Sequence, residues 1–227
     1  MDVVYILGEG SLCDDEEIRY SMRSLERNML DLRNVYIVGE LPEFLAPFEH
    51  VPASDGFTEK WKNAYSKIKK AASLEDLSEE FLLMNDDFFM LEPFTGAEFP
   101  FYALKNSNGG TDGMHSFHIH CPIRIKKEWY LNLPLDINSK GRHSPRTFYG
   151  NFYKAPPTFC EDFILRAAPG CKDFDIQAKN KPCISVGDDA MLYAPFRQWL
   201  EKQFDIPSQY EKVSLHTKDF AQSDILA

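Results

Sequence analysis

Apolar residues run through the first ninety positions in two alternating rhythms. Residues 3–7, 35–38 and 81–84 are continuous apolar runs, short enough for strands and unbroken enough to be buried on both faces. Between them the spacing changes. Ile18, Met22, Leu25 and Met29 recur at helical intervals behind Asp14 or Asp15, either of which can cap a helix. Trp61, Tyr65, Ile68 and Ala72 mark one side of a second helix over about residues 59–72, with most of its lysines elsewhere. Strand alternating with helix is the pattern of a mainly parallel sheet with helices packed on it, and it predicts an α/β fold.

Beyond Pro93 the rhythm loosens. Asn106-Ser107-Asn108-Gly109-Gly110 reads as an exposed loop, residues 115–125 as an alternating strand, and residues 134–157 as a stretch rich in loop formers. Pro195 opens a last helix in which Phe196, Trp199 and Leu200 follow at helical spacing. No internal repeat, low-complexity tract or clear linker interrupts the chain, so the pattern predicts one compact domain.

Composition supports a substantial core, with 44% hydrophobic residues in 227 and 18 Phe and 10 Tyr among them. No run of about 18 apolar residues occurs, and the start lacks a basic segment ahead of an apolar one, which reads as a cytoplasmic protein without a membrane partner. Five widely spaced cysteines without a C-x-x-C pair read as reduced thiols. A net charge of −10 argues against a protein that coats nucleic acid, although Arg19, Arg23, Arg27 and Arg33, and the lysines from Lys60 to Lys70, leave room for a local basic cleft.

The chemistry concentrates at Asn85-Asp86-Asp87, the one polar interruption of the apolar run 81–90. An unpaired carboxylate in an apolar setting costs several kcal/mol or more, and a divalent cation carrying a diphosphate offsets that cost. In open α/β sheets ligands gather at the carboxyl ends of strands, where residues 8–11, 39–40 and 85–87 would meet. Gly8 and Gly10 would let a nucleotide approach the backbone, but the segment is neither a Rossmann fingerprint nor a phosphate-binding loop ending in Gly-Lys-Ser/Thr, and on its glycines alone an ordinary turn is the better reading.

These segments carry a resemblance. Residues 2–5, 16–25, 35–38 and 80–89 stand in the order and spacing of the Stealth-type sugar transferases, and His120-Cys121-Pro122 resembles their third block. Tyr149-Gly150-Asn151, residues 185–189 and residues 204–211 look like a short phage-encoded branch of glycosyltransferases. The resemblance implies a single GT-A-like domain, with residues 1–92 as the nucleotide-binding half and 93–227 as an irregular acceptor half. It also implies a nucleotide-sugar donor, a divalent metal (Mn or Mg) and, for a phage protein, the host cytoplasm. Two departures stand out. Ile6-Leu7-Gly8-Glu9-Gly10 replaces a Trp-Val-Asp-Gly-like turn, keeping a carboxylate as Glu9, and Trp61-Lys62-Asn63 matches a Phe-Asn-Ser stretch only loosely.

On that basis Asp86 and Asp87 are the candidate metal ligands, with a capped loop as the plain alternative. Gly8, Glu9, Gly10, Lys62, Asn63 and Arg146 are candidates for holding the donor. Arg19 and Arg23, four apart on one helix face, would either clamp a diphosphate or pair with Glu16 or Glu26. Asp188 is the leading candidate for the base that takes a proton from an attacking hydroxyl, with a helix cap as its alternative and Asp162 as a weaker base. His120 would join the metal or steady the acceptor, whereas His115, His118 and His120 lack the further ligand a zinc site needs. The expected reaction is transfer of a sugar from a nucleotide sugar to a hydroxyl acceptor. Hydroxymethylated pyrimidines in phage DNA are one such acceptor, for which Phe148, Tyr149, Phe152 and Tyr153 with Arg142, Arg146 and Lys154 would form a basic, stacking rim. The alternatives are sugar 1-phosphate transfer to a capsule-like glycan and a silent carbohydrate-binding protein.

Overall fold

The computed structural model describes residues 1–9, 11–46, 48–105, 115–137, 144–187 and 189–212. Its centre is a five-stranded sheet. In chain order the elements begin with strand β1 (Asp2–Ile6), helix α1 (Glu16–Asn28), strands β2 (Val35–Gly39) and β3 (Glu49–Pro52), helix α2 (Lys60–Ala72), and strands β4 (Glu80–Met84) and β5 (Phe88–Met90). Strands β6 (Phe101–Leu104) and β7 (Ile123–Lys126) follow, then helices α3 (Lys127–Leu131) and α4 (Pro145–Phe152), strand β8 (Pro157–Cys160), helix α5 (Phe174–Ala178), strand β9 (Cys183–Ser185) and helix α6 (Ala194–Gln203). The central order is β3-β2-β1-β4-β7, parallel except for β7, which runs antiparallel to β4 at the edge. The architecture is therefore α/β with a mainly parallel central sheet flanked by helices, as the hydrophobic rhythm predicts.

Both faces of the sheet are covered, which is why its strands read as unbroken apolar runs. Val3, Tyr5, Ile37 and Leu82 pack with Ile18, Met22 and Leu25 of α1, while Val4, Tyr36, Val38 and Leu83 pack with Tyr65, Ile68 and Ala72 of α2. A third cluster joins Phe89 of β5 and Ile184 of β9 to Phe196 and Leu200 of α6. The small β5-β9 pair thus stacks the chain's last third beside the end of β4.

Three local expectations are corrected. Residues 115–125 form no continuous strand: Phe117 makes one isolated bridge to Ala103, and regular pairing begins at Ile123. Within 134–157 lies α4, whose Ser144 side chain accepts from the Thr147 amide with Pro145 in the first turn, a helix start that outweighs the loop-forming composition. Asp14 and Asp15 both adopt left-handed backbone conformations and neither caps α1 through its side chain. Ser11 Oγ does the local work instead, accepting from the amides of Cys13 at 3.2 Å and Asp15 at 3.0 Å. The expected loop at 106–110 lies outside the described residues. Among them no helix is long and apolar enough to cross a membrane.

Candidate active site

At the carboxyl ends of β1 and β4 lies an open cavity of about 360 Å³. Its floor is Leu7, Gly8 and Glu9 after β1 and Asn85, Asp86 and Asp87 after β4; Asp15 and Glu17 of the α1 end, Asp55, and Asn63 and Lys67 of α2 form its walls, and Gly187 closes one side. Close packing sets this floor. Gly39 has φ of 138°, and a Cβ there would lie 2.0 Å from the Leu7 carbonyl oxygen, so only glycine lets β2 end against the β1 turn. The same carbonyl accepts from the buried Lys67 Nζ, which also pairs with Asp55 Oδ1 at 2.5 Å. Asp55 Oδ2 in turn accepts from the Glu9 amide at 3.2 Å, so Lys67 and Asp55 together hold the Gly8-Glu9 turn.

Asn85-Asp86-Asp87 links the central sheet to the β5-β9 pair, and its two ends are anchored from distant parts of the chain. Arg146, almost fully buried on α4, donates to Asn85 Oδ1 at 2.7 Å and to the Cys121 carbonyl. Ser185 of β9 donates to Asp87 Oδ2 at 2.5 Å, and its oxygen lies 3.2 Å from His120 Nδ1. Burial pushes the Asp86 carboxyl up to about 7, aided by the neighbouring charges of Asp87 and Glu17. Burial also raises Asp87, against the opposing effects of the Ser185 hydrogen bond, His120 and Arg146.

Among the described residues six carboxylates line the cavity, from Glu9, Asp15, Glu17, Asp55, Asp86 and Asp87, against the two cations Lys60 and Lys67. A diphosphate alone would be repelled by such a lining, whereas a divalent cation would find the hard oxygen donors it prefers. Among the described residues no three ligating side chains converge into a closed cage. Two carboxylates and an open side fit an ion of the Mg²⁺ or Mn²⁺ type, which commonly combines one or two protein carboxylates with phosphate oxygens and water.

The sequence-expected residues divide accordingly. Gly8, Glu9, Asn63, Asp86 and Asp87 line the cavity together. Asn63 spends both amide atoms on the Phe57 backbone, at 2.9 and 2.7 Å, and so shapes the wall. Arg146 and His120 stand behind the aspartates through Asn85 and Ser185. Lys62 does not line the cavity; it pairs with Glu59 at 2.8 Å. Arg19 and Arg23, the candidates for a diphosphate clamp, do not line the cavity: both guanidinium groups engage Glu211, at 2.7 and 2.6 Å, and Arg19 also pairs with Glu16, the partner the sequence offered as the alternative. Gly10 and Asp188 lie outside the described residues.

Asp162 belongs to another setting, 3.5 Å from His118 Nε2. His118 itself is buried, stacked on Phe163, with its pKa lowered to about 4 by burial. The proposed rim of α4 is also altered. Tyr149 is buried and its hydroxyl accepts from the Lys126 amide, Arg146 is buried, and Phe152 alone of the four aromatics is half exposed. Arg142 lies outside the described residues. Sequence reasoning passed over Asp55, took Lys67 only as one of a cluster of lysines, and met Ser185 only inside a resembling block without giving it a role.

The chain is similar in structure to the galactosyltransferase LgtC solved in complex with donor and acceptor sugar analogs. The TM-score is 0.53 at 12% identity, over 92% of this chain and 99% of that one. An active-site mutant of LgtC matches with TM-score 0.51 at 11% identity, over 88% and 96% of the two chains. The likeness shows a shared fold, of the GT-A type, across nearly the whole length of the neighbour. No protein-family model and no curated protein matches the chain.

Proposed function

We propose that the protein is a glycosyltransferase that binds a nucleotide sugar in the cavity at the β1 and β4 ends and transfers the sugar to a hydroxyl acceptor. The observation that carries this reading is the Asp86–Asp87 pair on the floor of a carboxylate-lined cavity. It is supported by a fold neighbour that is a galactosyltransferase solved with donor and acceptor sugar analogs.

Asp86 and Asp87 are the residues that would hold a divalent cation, and the ion would supply positive charge beside the diphosphate as the leaving group separates. The chain's own residues do the rest. Lys67 and Asp55 keep the Gly8-Glu9 turn in place, so the donor meets a preformed wall. Arg146 and Ser185 keep Asn85 and Asp87 in one orientation. Asp188 remains the proposed base for the acceptor hydroxyl, and His120 is proposed to steady the acceptor.

For the acceptor, the acidic lining favours an uncharged hydroxyl of a glycan over a base in DNA. A polyanion approaching this mouth would meet Glu9, Asp15 and Glu17, and two members of the aromatic and basic rim that a flipped base would need, Arg146 and Tyr149, are buried. Transfer of sugar 1-phosphate to a glycan uses the same donor and differs in the bond that breaks. The test is a panel of nucleotide sugars with Mg²⁺ or Mn²⁺, first alone and then with glycans or hydroxymethylated DNA oligomers. Metal-dependent release of nucleoside diphosphate with sugar appearing on a glycan supports the reading. Release of nucleoside monophosphate points to sugar-phosphate transfer, and transfer to DNA overturns the acceptor choice. No binding or turnover of any nucleotide sugar leaves a silent binding protein.

A further inference from the structure

A second hollow, of about 280 Å³, lies at the far end of α4 and is lined by His115, Gly150, Asn151, Lys154 and the Pro156-Pro157 pair that opens β8. Its lining is the reverse of the first cavity's. Among the described residues it has a lysine and an imidazole and no carboxylate, in a chain whose net charge is −10. The frame is fixed from two sides. Asn151 spends its side chain on the His115 backbone, accepting from the amide at 2.8 Å and donating to the carbonyl at 2.7 Å. Gly150 lies against the Phe117 ring, where a Cβ would come within 2.5 Å of it. Helix α4 then ends in a Schellman turn: the Ala155 amide donates to the Gly150 carbonyl at 2.8 Å and the Lys154 amide to the Asn151 carbonyl at 3.1 Å. Lys154 holds the left-handed position of that turn, with φ of 53°, where glycine is favoured and a side chain meets steric resistance. Among the described residues none pairs with its ammonium. Beside the hollow, the half-exposed Phe159 of β8 meets the His115 ring edge-on at 5.4 Å.

We propose that this hollow binds an acidic sugar unit of the acceptor glycan, one that carries a carboxylate or a phosphate. Lys154 pairs with the anion, the His115 imidazole offers an N–H to the anion or to a hydroxyl, and Phe159 covers a C–H face of the ring. The Schellman amides have already taken up the Gly150 and Asn151 carbonyls, so the anion does not face those two oxygens bare. The place suits an acceptor. Arg146, which holds Asn85 on the floor of the first cavity, stands five residues from Asn151 on the same helix, about 7–8 Å along its axis. A glycan of a few units spans that distance, with its acidic unit in the hollow and a neutral hydroxyl of another unit at the donor. One lysine suits a single charged sugar better than a nucleic acid, whose binding draws on many cations at once.

The acceptor role rests on the proposed glycosyl transfer, and the experiment separates the two. Amide shifts of nitrogen-15-labelled protein are followed during titration with an oligosaccharide containing glucuronic acid, with the same oligosaccharide after reduction of its carboxyl groups, and with a phosphorylated oligosaccharide. Inorganic phosphate and a DNA oligomer are titrated alongside. The expected result is that an acidic oligosaccharide shifts the amides of His115, Asn151 and Lys154, the tighter of the two naming the anion, and that the reduced form binds at least about tenfold more weakly. K154G keeps the turn, because glycine suits a left-handed position, so its midpoint of thermal unfolding is expected close to or above that of wild type. Its affinity for the acidic oligosaccharide is expected to fall by at least about tenfold. Equal binding of the acidic and reduced forms, full affinity in K154G, or tighter binding of inorganic phosphate or DNA at these amides overturns the proposal. Acidic glycan bound here by a protein that binds no nucleotide sugar supports the hollow and overturns the donor-site reading instead.

Discussion

Arg146 donates to Asn85 Oδ1 at 2.7 Å, tying a helix of the chain's second half to the residue that precedes the two cavity aspartates. The contact explains why a nearly fully buried guanidinium is kept there: it also satisfies the Cys121 carbonyl next to His120 and lies over the Phe88 ring. R146A leaves both oxygens without their donor, and the expected loss is about 3 kcal/mol of stability in urea unfolding. R146K cannot donate to two separated oxygens in the same fixed fork, so it is expected to fall between the alanine variant and the wild type.

Lys67 and Asp55 form the other support of the cavity floor. A double-mutant cycle of K67M and D55N, read by denaturant unfolding, is expected to give a coupling of about 1 kcal/mol, since the residues share one partly buried contact. Either single variant frees the Glu9 turn and is expected to weaken nucleotide binding. Additive effects on stability would show that the pair does not act as a unit.

Glu211 tests the reassignment of Arg19 and Arg23. Burial works against its charge, but hydrogen bonds from Arg23, the Ser208 amide and Arg19 outweigh it and hold the carboxyl below the usual range. E211Q is expected to cost about 1–3 kcal/mol by leaving two arginines poorly paired. Nucleotide affinity in E211Q and R23A should stay within about twofold of wild type, because the cluster lies apart from the cavity. A large loss of affinity in R23A would restore the diphosphate clamp.

The pH dependence of stability is carried in part by Asp2, wholly buried at the start of β1. Its burial alone would raise the pKa, but Arg33, the Ser78 amide and the Ser78 hydroxyl outweigh it, and the carboxyl lies below its ordinary value. A depressed folded-state pKa contributes stability that is fully present above the unfolded value of about 3.9 and is lost as pH falls through the folded one. Urea midpoints measured from neutral pH down to the acid range should therefore fall in the wild type and fall less steeply in D2N.

The central sheet was legible because β1, β2 and β4 are buried on both faces and α1 and α2 each bury one, so local periodicity reports the packing directly. The Asn85-Asp86-Asp87 segment on the cavity floor was legible for the same reason, as polar residues inside an apolar run. What the chain concealed was partnership over distance. Arg19 and Arg23 look like a free cationic face until Glu211, nearly two hundred residues on, takes both. Ser185 carries no local mark of its place beside Asp87, and Lys67 looks like one more surface lysine until α2 packs it against the Leu7 carbonyl. The α4 helix is short enough that its Ser144-Pro145 start is the whole of its signal.

The most direct test of the donor site is calorimetric titration of nucleoside diphosphates, with and without Mn²⁺, into wild-type protein and D87A. The expected result is binding by the wild type that requires Mn²⁺ and is weakened by at least about tenfold in D87A, the scale on which groups that hold a metal act. Binding that is indifferent to Mn²⁺, or equal in D87A and wild type, would contradict the assignment of Asp86 and Asp87 and with it the proposed glycosyl transfer.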